Sequence, residues 1–456
     1  MQDNTISRAA QYIGSLNLGE LADLKSLRPP KAILEITRAL EAAGHEVWAV
    51  GGAIRDALLG EMHLDWDLAT SATPDQVREV FGRGRTKPVG IEFGTVGVLD
   101  EKGLMHEVTT FRRDVRTDGR HAEVEFGASL EEDLARRDFT VNAIAYSPTR
   151  ELLADPFGGR DDLRKRVIRS VGDASQRMRE DRLRALRAIR FSARFQFEID
   201  TDTWAALEDS APHLTRLTAE RVKQELEKTM EQVARPSGAL RMWKKSGALE
   251  VLVPELLEAE ESIRALDYAP RPSLARRPGR RLNRMAILFS ALAPSDAYRV
   301  AMRLRFSKSD AQWIADLAKR WQSVGRAMDE AFSGGREPDA STVRRWVALI
   351  GRPMLHGFFR VAAALWEARR TADPGSGPTA QAVHSLYRRS LRTALRDPVD
   401  LRDLAIDGDD LRQAGIAPGP GLGKILAALL EAVLRDPALN TRDRLLAEAR
   451  RLSADT

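Results

Sequence analysis

Leu64-Asp65-Trp66-Asp67-Leu68 alternates apolar and acidic side chains, and it follows closely on Gly51-Gly52-Ala53-Ile54-Arg55-Asp56. A strand sends residues i and i+2 to the same face. Leu64, Trp66 and Leu68 are therefore expected to face a core, with Asp65 and Asp67 side by side on the other face. Two adjacent carboxylates repel each other unless a cation lies between them. Hard oxygen donors at this spacing suit Mg²⁺, which takes one or two carboxylates and completes its shell with substrate phosphates. The glycine pair lets a backbone come close to those phosphates. A metal clamp beside a phosphate cradle points to nucleotidyl transfer.

The flanking sequence builds a small α/β head around this stretch. Residues 32–43 have helical periodicity, with Ile33, Ile36 and Leu40 on one face and Gly44 as the stop. Residues 46–50 read as a strand running into Gly51-Gly52, and 53–59 as a short helix. Its free backbone N–H groups and dipole favour a phosphate near Gly52, and Arg55 adds a charged fork. Thr73-Pro74-Asp75 opens a helix over 76–81. Residues 95–99 and 104–111 are strand-like, joined by the hairpin signal Asp100-Glu101-Lys102-Gly103. Met105, Glu107 and Thr109 share a face of the second strand, which makes Glu107 the candidate third carboxylate of a two-metal site. The charged, glycine-containing stretch 112–126 reads as a mobile loop.

Two further constellations carry chemistry. Arg136-Arg137-Asp138-Phe139-Thr140-Val141-Asn142-Ala143 combines cations, a carboxylate and an amide, a set suited to a triphosphate and a ribose hydroxyl. In Glu180-Asp181-Arg182-Leu183-Arg184-Ala185-Leu186-Arg187-Ala188-Ile189-Arg190-Phe191, the residues Asp181, Arg184, Arg187 and Arg190 recur every third position. That spacing predicts one polar ridge on a helix, with Leu183, Leu186 and Ile189 on a separate apolar one. So many cations together call for an anionic partner. An aspartate and an arginine on one ridge also offer an acceptor and donors to a nucleobase edge.

A chain of 456 residues is expected to form about two to four domains. Apolar residues make up 43% and charged residues 30%, the balance of a folded, soluble protein. Lys+Arg 71 against Asp+Glu 66 gives a net charge of +5, which permits nucleic-acid binding without requiring it. The absence of cysteine excludes disulfides, thiolate zinc sites and cysteine nucleophiles. Met1-Gln2-Asp3-Asn4 lacks the pattern of a signal peptide, and no apolar run approaches the roughly 18 residues of a membrane span. A cytoplasmic location is expected. From residue 163 onward the pattern is almost wholly helical. Breaks fall at Pro156-Phe157-Gly158-Gly159, in the basic, proline-rich 268–281 and at 372–379. Residues 7–16 have a helical pattern. The expected fold is α+β: a small α/β head with a short mixed sheet, followed by a long all-helical remainder.

In this order and spacing, GGAIRD, LDWD, EVTTFR, RRDFTVNAIA and EDRLRALRAIRF resemble the class II tRNA nucleotidyltransferases and bacterial poly(A) polymerases of the DNA polymerase beta-like superfamily. The match covers roughly residues 30–230; Glu220-Arg221-Val222-Lys223-Gln224-Glu225-Leu226 is similar to the family's next helix motif, and 408–440 matches its tail more loosely. The resemblance implies an N-terminal extension (1–28), a catalytic head (29–160), a nucleotide-selecting neck (161–230), an RNA-binding body (231–335) and a tRNA-binding tail (336–456). It implies that Asp65 and Asp67 bind Mg²⁺, and that Gly52 and Arg55 contact the triphosphate. Arg137 would bind the nucleotide, with Asp138 and Asn142 near its ribose. Asp181 and Arg184 would pair with the edges of cytosine or adenine, supported by Arg187 and Arg190, and a loop carrying Asp118 and Arg120 would adjust that template. The implied substrates are CTP, ATP and the 3′ end of tRNA, held through its acceptor and T-arm; neither DNA nor a membrane is expected as a partner. A phosphohydrolase domain marked by paired His-Asp motifs is expected to be absent, and His63, His106 and His121 read as polar loop or strand residues.

The implied activity is CTP(ATP):tRNA nucleotidyl transfer that builds or repairs the 3′-terminal CCA. The same motifs serve poly(A) polymerases and restricted CC- or A-adding enzymes. The short C-terminus of mixed charge, 445–456, favours tRNA maturation. A non-catalytic RNA-binding module is disfavoured by the intact carboxylate pair, and a small-molecule nucleotidyltransferase by the long basic helical remainder.

Overall fold

The computed structural model describes residues 27–60, 66–117, 122–269, 278–333 and 337–454. Asp65, His63, Asp118, Arg120, His121 and the helical pattern at 7–16 lie outside the described residues. The chain divides into two compact units, Met1–Arg221 with Met242–Leu252, and Val222–Arg241 with Val253–Thr456.

The first unit opens with α1 (Lys31–Ala42), which buries Ile33, Ile36, Thr37 and Leu40 and stops at Gly44 with φ +88°. Then come β1 (Val47–Val50), α2 (Gly52–Leu58), β2 (Asp67–Thr70), α3 (Pro74–Phe81), β3 (Thr86–Gly90), β4 (Thr95–Leu99) and β5 (Met105–Thr110). Thr73 and Gln76 close a capping box on α3, with Pro74 at its first position. A hairpin, β6 (Arg112–Thr117) and β7 (Ala122–Phe126), precedes α4 (Leu130–Ala135), β8 (Ala145–Ser147) and β9 (Leu152–Ala154). The strand order β3-β4-β5-β2-β1-β8-β9 makes one mixed sheet: β2 pairs antiparallel with β1 and parallel with β5. This is the expected α+β architecture.

The sheet's two faces differ. Leu68, Val96, Val98 and Val108 share one face, and each is 0% exposed. The other face is covered at one end by a core of Trp48, Val50, Ala69, Phe111, Leu130 and Leu134. Beyond that core it is open, and Asp67 and Glu107 are both exposed there.

Residues 112–117 and 122–126 correct the sequence expectation of a loop, since they are paired antiparallel strands. Apolar alternation is weak there, so the strand signal is faint. Opposite charges supply part of the cross-strand pairing instead: Arg113 donates to Glu125 Oε2 at 2.9 and 2.7 Å across the register.

The unit continues through α5 (Gly159–Lys165), β10 (Val167–Ile168), α6 (Ala174–Glu180), α7 (Leu183–Phe195), β11 (Glu198–Ile199) and α8 (Thr201–Ser210). The two short strands pair in parallel, a departure from an all-helical remainder. They align the segments that lead into α6 and α8.

The second unit is helical among the described residues. Its longest helix, Leu355–Ala372, packs on Glu260–Ala265 and Pro278–Phe289. Trp366 meets the Trp321 and Phe332 rings edge-on at 5.6 and 5.9 Å. Arg284 is 1% exposed and donates to the Met230 and Val233 carbonyls at 2.6 and 3.0 Å, satisfying the end of helix Ala219–Gln232. Burial pushes its guanidinium down to about 10. A further core of Leu411, Leu429, Val433, Leu445 and Ala449 holds the last helices. No described helix is long and apolar enough to cross a membrane.

Candidate active site

β1 ends at Val50, and the chain turns at Gly51 with φ +78° and ψ −137°, a conformation that favours glycine. A Cβ on Gly51 would lie 3.1 Å from Arg137 Nη1, and one on Gly52 would lie 3.4 Å from Arg55 Nη2. The bare turn is thus flanked by two guanidinium groups at the start of α2. Arg137 is held by Asp133 Oδ2 at 3.1 Å, and its buried Nε has no partner in the described structure. Asp133 also accepts from Arg136 at 3.0 Å. Burial would raise the Asp133 carboxyl, but Arg137 and Arg136 hold it below the usual range.

Asp67 begins β2, with Trp66 and Leu68 buried on either side. Parallel pairing places Leu68 opposite Val108. The same register one residue earlier sets Asp67 beside Glu107 on the open face. These are hard oxygen donors on one accessible face, a set that fits a divalent cation. No cluster of three or more histidine or acidic side chains surrounds a metal position among the described residues. His106 lies on the opposite face, its Nε2 3.3 Å from Asp100 Oδ2.

Arg55 is 3% exposed. Its Nε and Nη2 donate to Asp56 Oδ1 at 2.7 and 2.6 Å, and its Nη1 donates to Asn142 Oδ1. The Phe191 and Phe195 ring centroids lie 5.1 and 4.7 Å from its guanidinium carbon. Burial pushes its pKa down, against the pull of Asp56. So enclosed a guanidinium organises its neighbours as well as attracting anions. Asp56 accepts Arg194 Nη2 at 3.0 Å on its other oxygen.

Asn142 passes the network on. It lies in a 3₁₀ turn, Thr140–Asn142, and its Nδ2 donates to Asp138 Oδ1 at 2.8 Å. Asp138 also accepts the Phe139 N–H at 2.9 Å and Arg187 Nε at 2.8 Å. Burial alone would raise the Asp138 carboxyl. Arg187, Asn142 and the Phe139 N–H overcome it and hold the pKa at about 2.

The ridge expected from Asp181 to Arg190 is divided. Asp181 precedes α7 in extended geometry, φ −146° and ψ 102°, because its carboxylate accepts the Leu183 N–H at 3.0 Å and Arg221 Nη2 at 2.7 Å. Arg184, Arg187 and Arg190 do lie on α7. Arg184 donates to Glu180 Oε2 at 3.1 Å, the Arg177 carbonyl at 3.1 Å and the Arg136 carbonyl at 3.2 Å. Arg190 is 3% exposed, with the Phe191 centroid 4.3 Å from its guanidinium carbon.

The arginine cluster meets its anions inside the protein: Glu180 for Arg184, Asp138 for Arg187 and Asp56 for Arg194. The sequence assigns no individual role to Asp56, Asp133, Glu180 or Arg194. Asp133 carried a usable signal, since it precedes Arg136 and Arg137 at helical spacings of three and four. The Asp56–Arg194 pair spans 138 positions and has no local signature.

Three family models match the chain: the poly A polymerase head domain over residues 47–169, the RNA and SrmB-binding site of polymerase A over 196–260, and tRNA nucleotidyltransferase domain 2 over 358–449. The CCA-adding enzyme of Lactiplantibacillus plantarum is 33% identical over 434 residues, covering 92% of this chain and 96% of that protein. The crystal structure of the Bacillus stearothermophilus CCA-adding enzyme in complex with CTP aligns with a TM-score of 0.75 and 31% identity, over 94% of this chain and 99% of that one. The Thermotoga maritima CCA-adding enzyme complexed with tRNA shares the fold, with a TM-score of 0.62 and 22% identity over 94% of this chain and 98% of that one. Likeness over nearly the whole length, in both sequence and fold, places this chain in the family of CCA-adding enzymes.

Proposed function

We propose that this chain adds or repairs the 3′-terminal CCA of tRNA, using CTP and ATP and no nucleic-acid template. The observation that carries this reading is the open sheet face with Asp67 and Glu107, close in sequence to a bare glycine turn flanked by two arginines. The ribose 3′-hydroxyl of the RNA attacks the α-phosphate of the nucleotide, and pyrophosphate leaves. Asp67 and Asp65 would hold Mg²⁺, with Glu107 beside Asp67. The bound cation supplies activation of the hydroxyl and neutralisation of charge on the leaving oxygens. Gly52 and Arg55 would contact the triphosphate and Arg137 would bind the nucleotide, with Arg55 also keeping that turn in shape.

Asp138 and Asn142 lie near the ribose in this reading, fixed by Arg187. Asp181 and Arg184 face the base edge. The contacts of Arg184 leave guanidinium donors to spare, so a base can be read without releasing them. Residues 29–160 serve as head, 161–230 as neck, 231–335 as body and 336–456 as tail, the last two gripping RNA by shape and phosphate. The working compartment is the cytoplasm.

The deciding assay incubates the protein, Mg²⁺ and each nucleotide with tRNA ending at the discriminator base, at C or at CC, and sizes the products. Growth that stops at CCA supports the reading. Long adenylate tails would make the chain a poly(A) polymerase, and arrest at CC or addition of A alone would make it a restricted enzyme.

A further inference from the structure

We propose that the open half of the catalytic sheet face, where Val89 and Met105 lie over Gly97, seats the 3′-terminal nucleoside of the RNA being extended. This rests on the transfer reading above and adds a subsite to it. Gly97 sits mid-strand in β4, where glycine otherwise weakens a sheet and often marks a close approach. A Cβ there would fall 2.6 Å from Met105 Sδ and 2.9 Å from Val89 Cγ2. Glycine therefore lets both side chains lie flat against the sheet. Both nevertheless remain open to solvent, Val89 at 41% and Met105 at 46% exposed.

The row across the strands is chemically ordered. Lys87 lies opposite Gly97, Gly97 lies opposite Glu107, and Asp67 is next in line. An ammonium, an apolar floor and the carboxylates thus follow one another on one face. The attacking hydroxyl must reach a cation held by those carboxylates, so the nucleoside carrying it rests on the adjoining surface. Lys87 can meet the phosphate on its 5′ side as a point charge. The occupant changes during the reaction, from the discriminator nucleoside to cytidine. A seat with base-specific hydrogen bonds would reject some of them. An adaptable methionine and a valine accept any base.

The test uses full-length protein and tRNA lacking CCA, with 4-thiouridine at its 3′-terminal position. After irradiation, the crosslink is expected within β3, β4 or β5; a crosslink confined to other segments overturns the proposal. A Val89→Ala/Met105→Ala variant, exposed enough to leave the fold intact, is expected to slow single-turnover CTP addition about tenfold, the size of one lost base contact. Its KM for CTP and its affinity for tRNA stay at wild-type values. Gly97→Ala, which lifts Met105, acts in the same direction. Unchanged single-turnover rates in both variants, or a loss seen only in KM for CTP, overturn it. If the wild-type protein adds no nucleotide, the transfer reading falls instead, and the crosslink still decides whether RNA ends lie on this floor.

Discussion

Arg187 binds Asp138 through two nitrogens, Nε at 2.8 Å and Nη2 at 2.7 Å, and so ties helix α7 to the turn that carries Asn142. The carboxylate is the last link before Arg187 in a chain that runs from Arg194 through Asp56, Arg55 and Asn142. Helix α7 and the glycine turn are therefore mechanically joined.

That carboxylate makes the network acid-sensitive. The folded Asp138 pKa is depressed from an ordinary 3.8 to about 2, so its stabilisation is complete above about pH 4 and is lost as pH falls toward 2. The size is on the order of 2 kcal/mol. Urea unfolding of the wild type and Asp138→Asn between about pH 7 and about pH 2, low enough to reach the folded pKa, should show the two curves converging in acid. A constant gap between them would remove Asp138 from this role.

Asp67 is exposed on the open face of the sheet, so Asp67→Asn should leave the melting temperature unchanged. It should abolish Mg²⁺-dependent incorporation and spare tRNA binding measured by filter retention. Retained turnover would sink the metal assignment.

Arg184→Ala is expected to blur the choice between CTP and ATP more than it weakens nucleotide binding. Glu180→Gln weakens the charged bond that orients Arg184 and should produce a milder version of the same phenotype. The readout is the ratio of kcat/KM values for the two nucleotides on tRNA ending at CC. A ratio identical to wild type in Arg184→Ala would rule out the template role.

Asp56 is 1% exposed and neutralises both Arg55 and Arg194. Asp56→Ala leaves two guanidinium groups without their shared anion and should cost about 3–5 kcal/mol, the usual penalty for breaking a buried ion pair. Chemical denaturation measures the loss, and KM for both nucleotides should rise together as the turn loosens. Stability near wild type would show that Asp56 is dispensable.

Local chemistry was legible in the sequence because it repeats along the chain at fixed periods. The helical face of Ile33, Ile36 and Leu40, the Thr73 cap, the hairpin at Asp100 and the exposed Asp67 between buried Trp66 and Leu68 all follow from neighbours a few residues apart. The sequence also supplied the arginine spacing of α7. It misjudged Asp181, whose side chain caps the start of the helix it was expected to join. It also missed the pairing of β6 with β7, where apolar alternation is weak and Arg113 pairs with Glu125 across the strands.

Only the tertiary structure decided which carboxylate meets which arginine. Asp56 with Arg194 and Asp138 with Arg187 are separated by 138 and 49 positions, and long ion pairs leave no periodic trace in a chain. The same holds for the sheet order. Placing β2 parallel to β5 brings Asp67 beside Glu107, and β4 beyond them brings in Gly97. The sequence by itself determined that acidic and basic groups for phosphate chemistry were present. Burial and strand register, which depend on distant packing, determined which of them stay open to substrate and which are spent holding the site together.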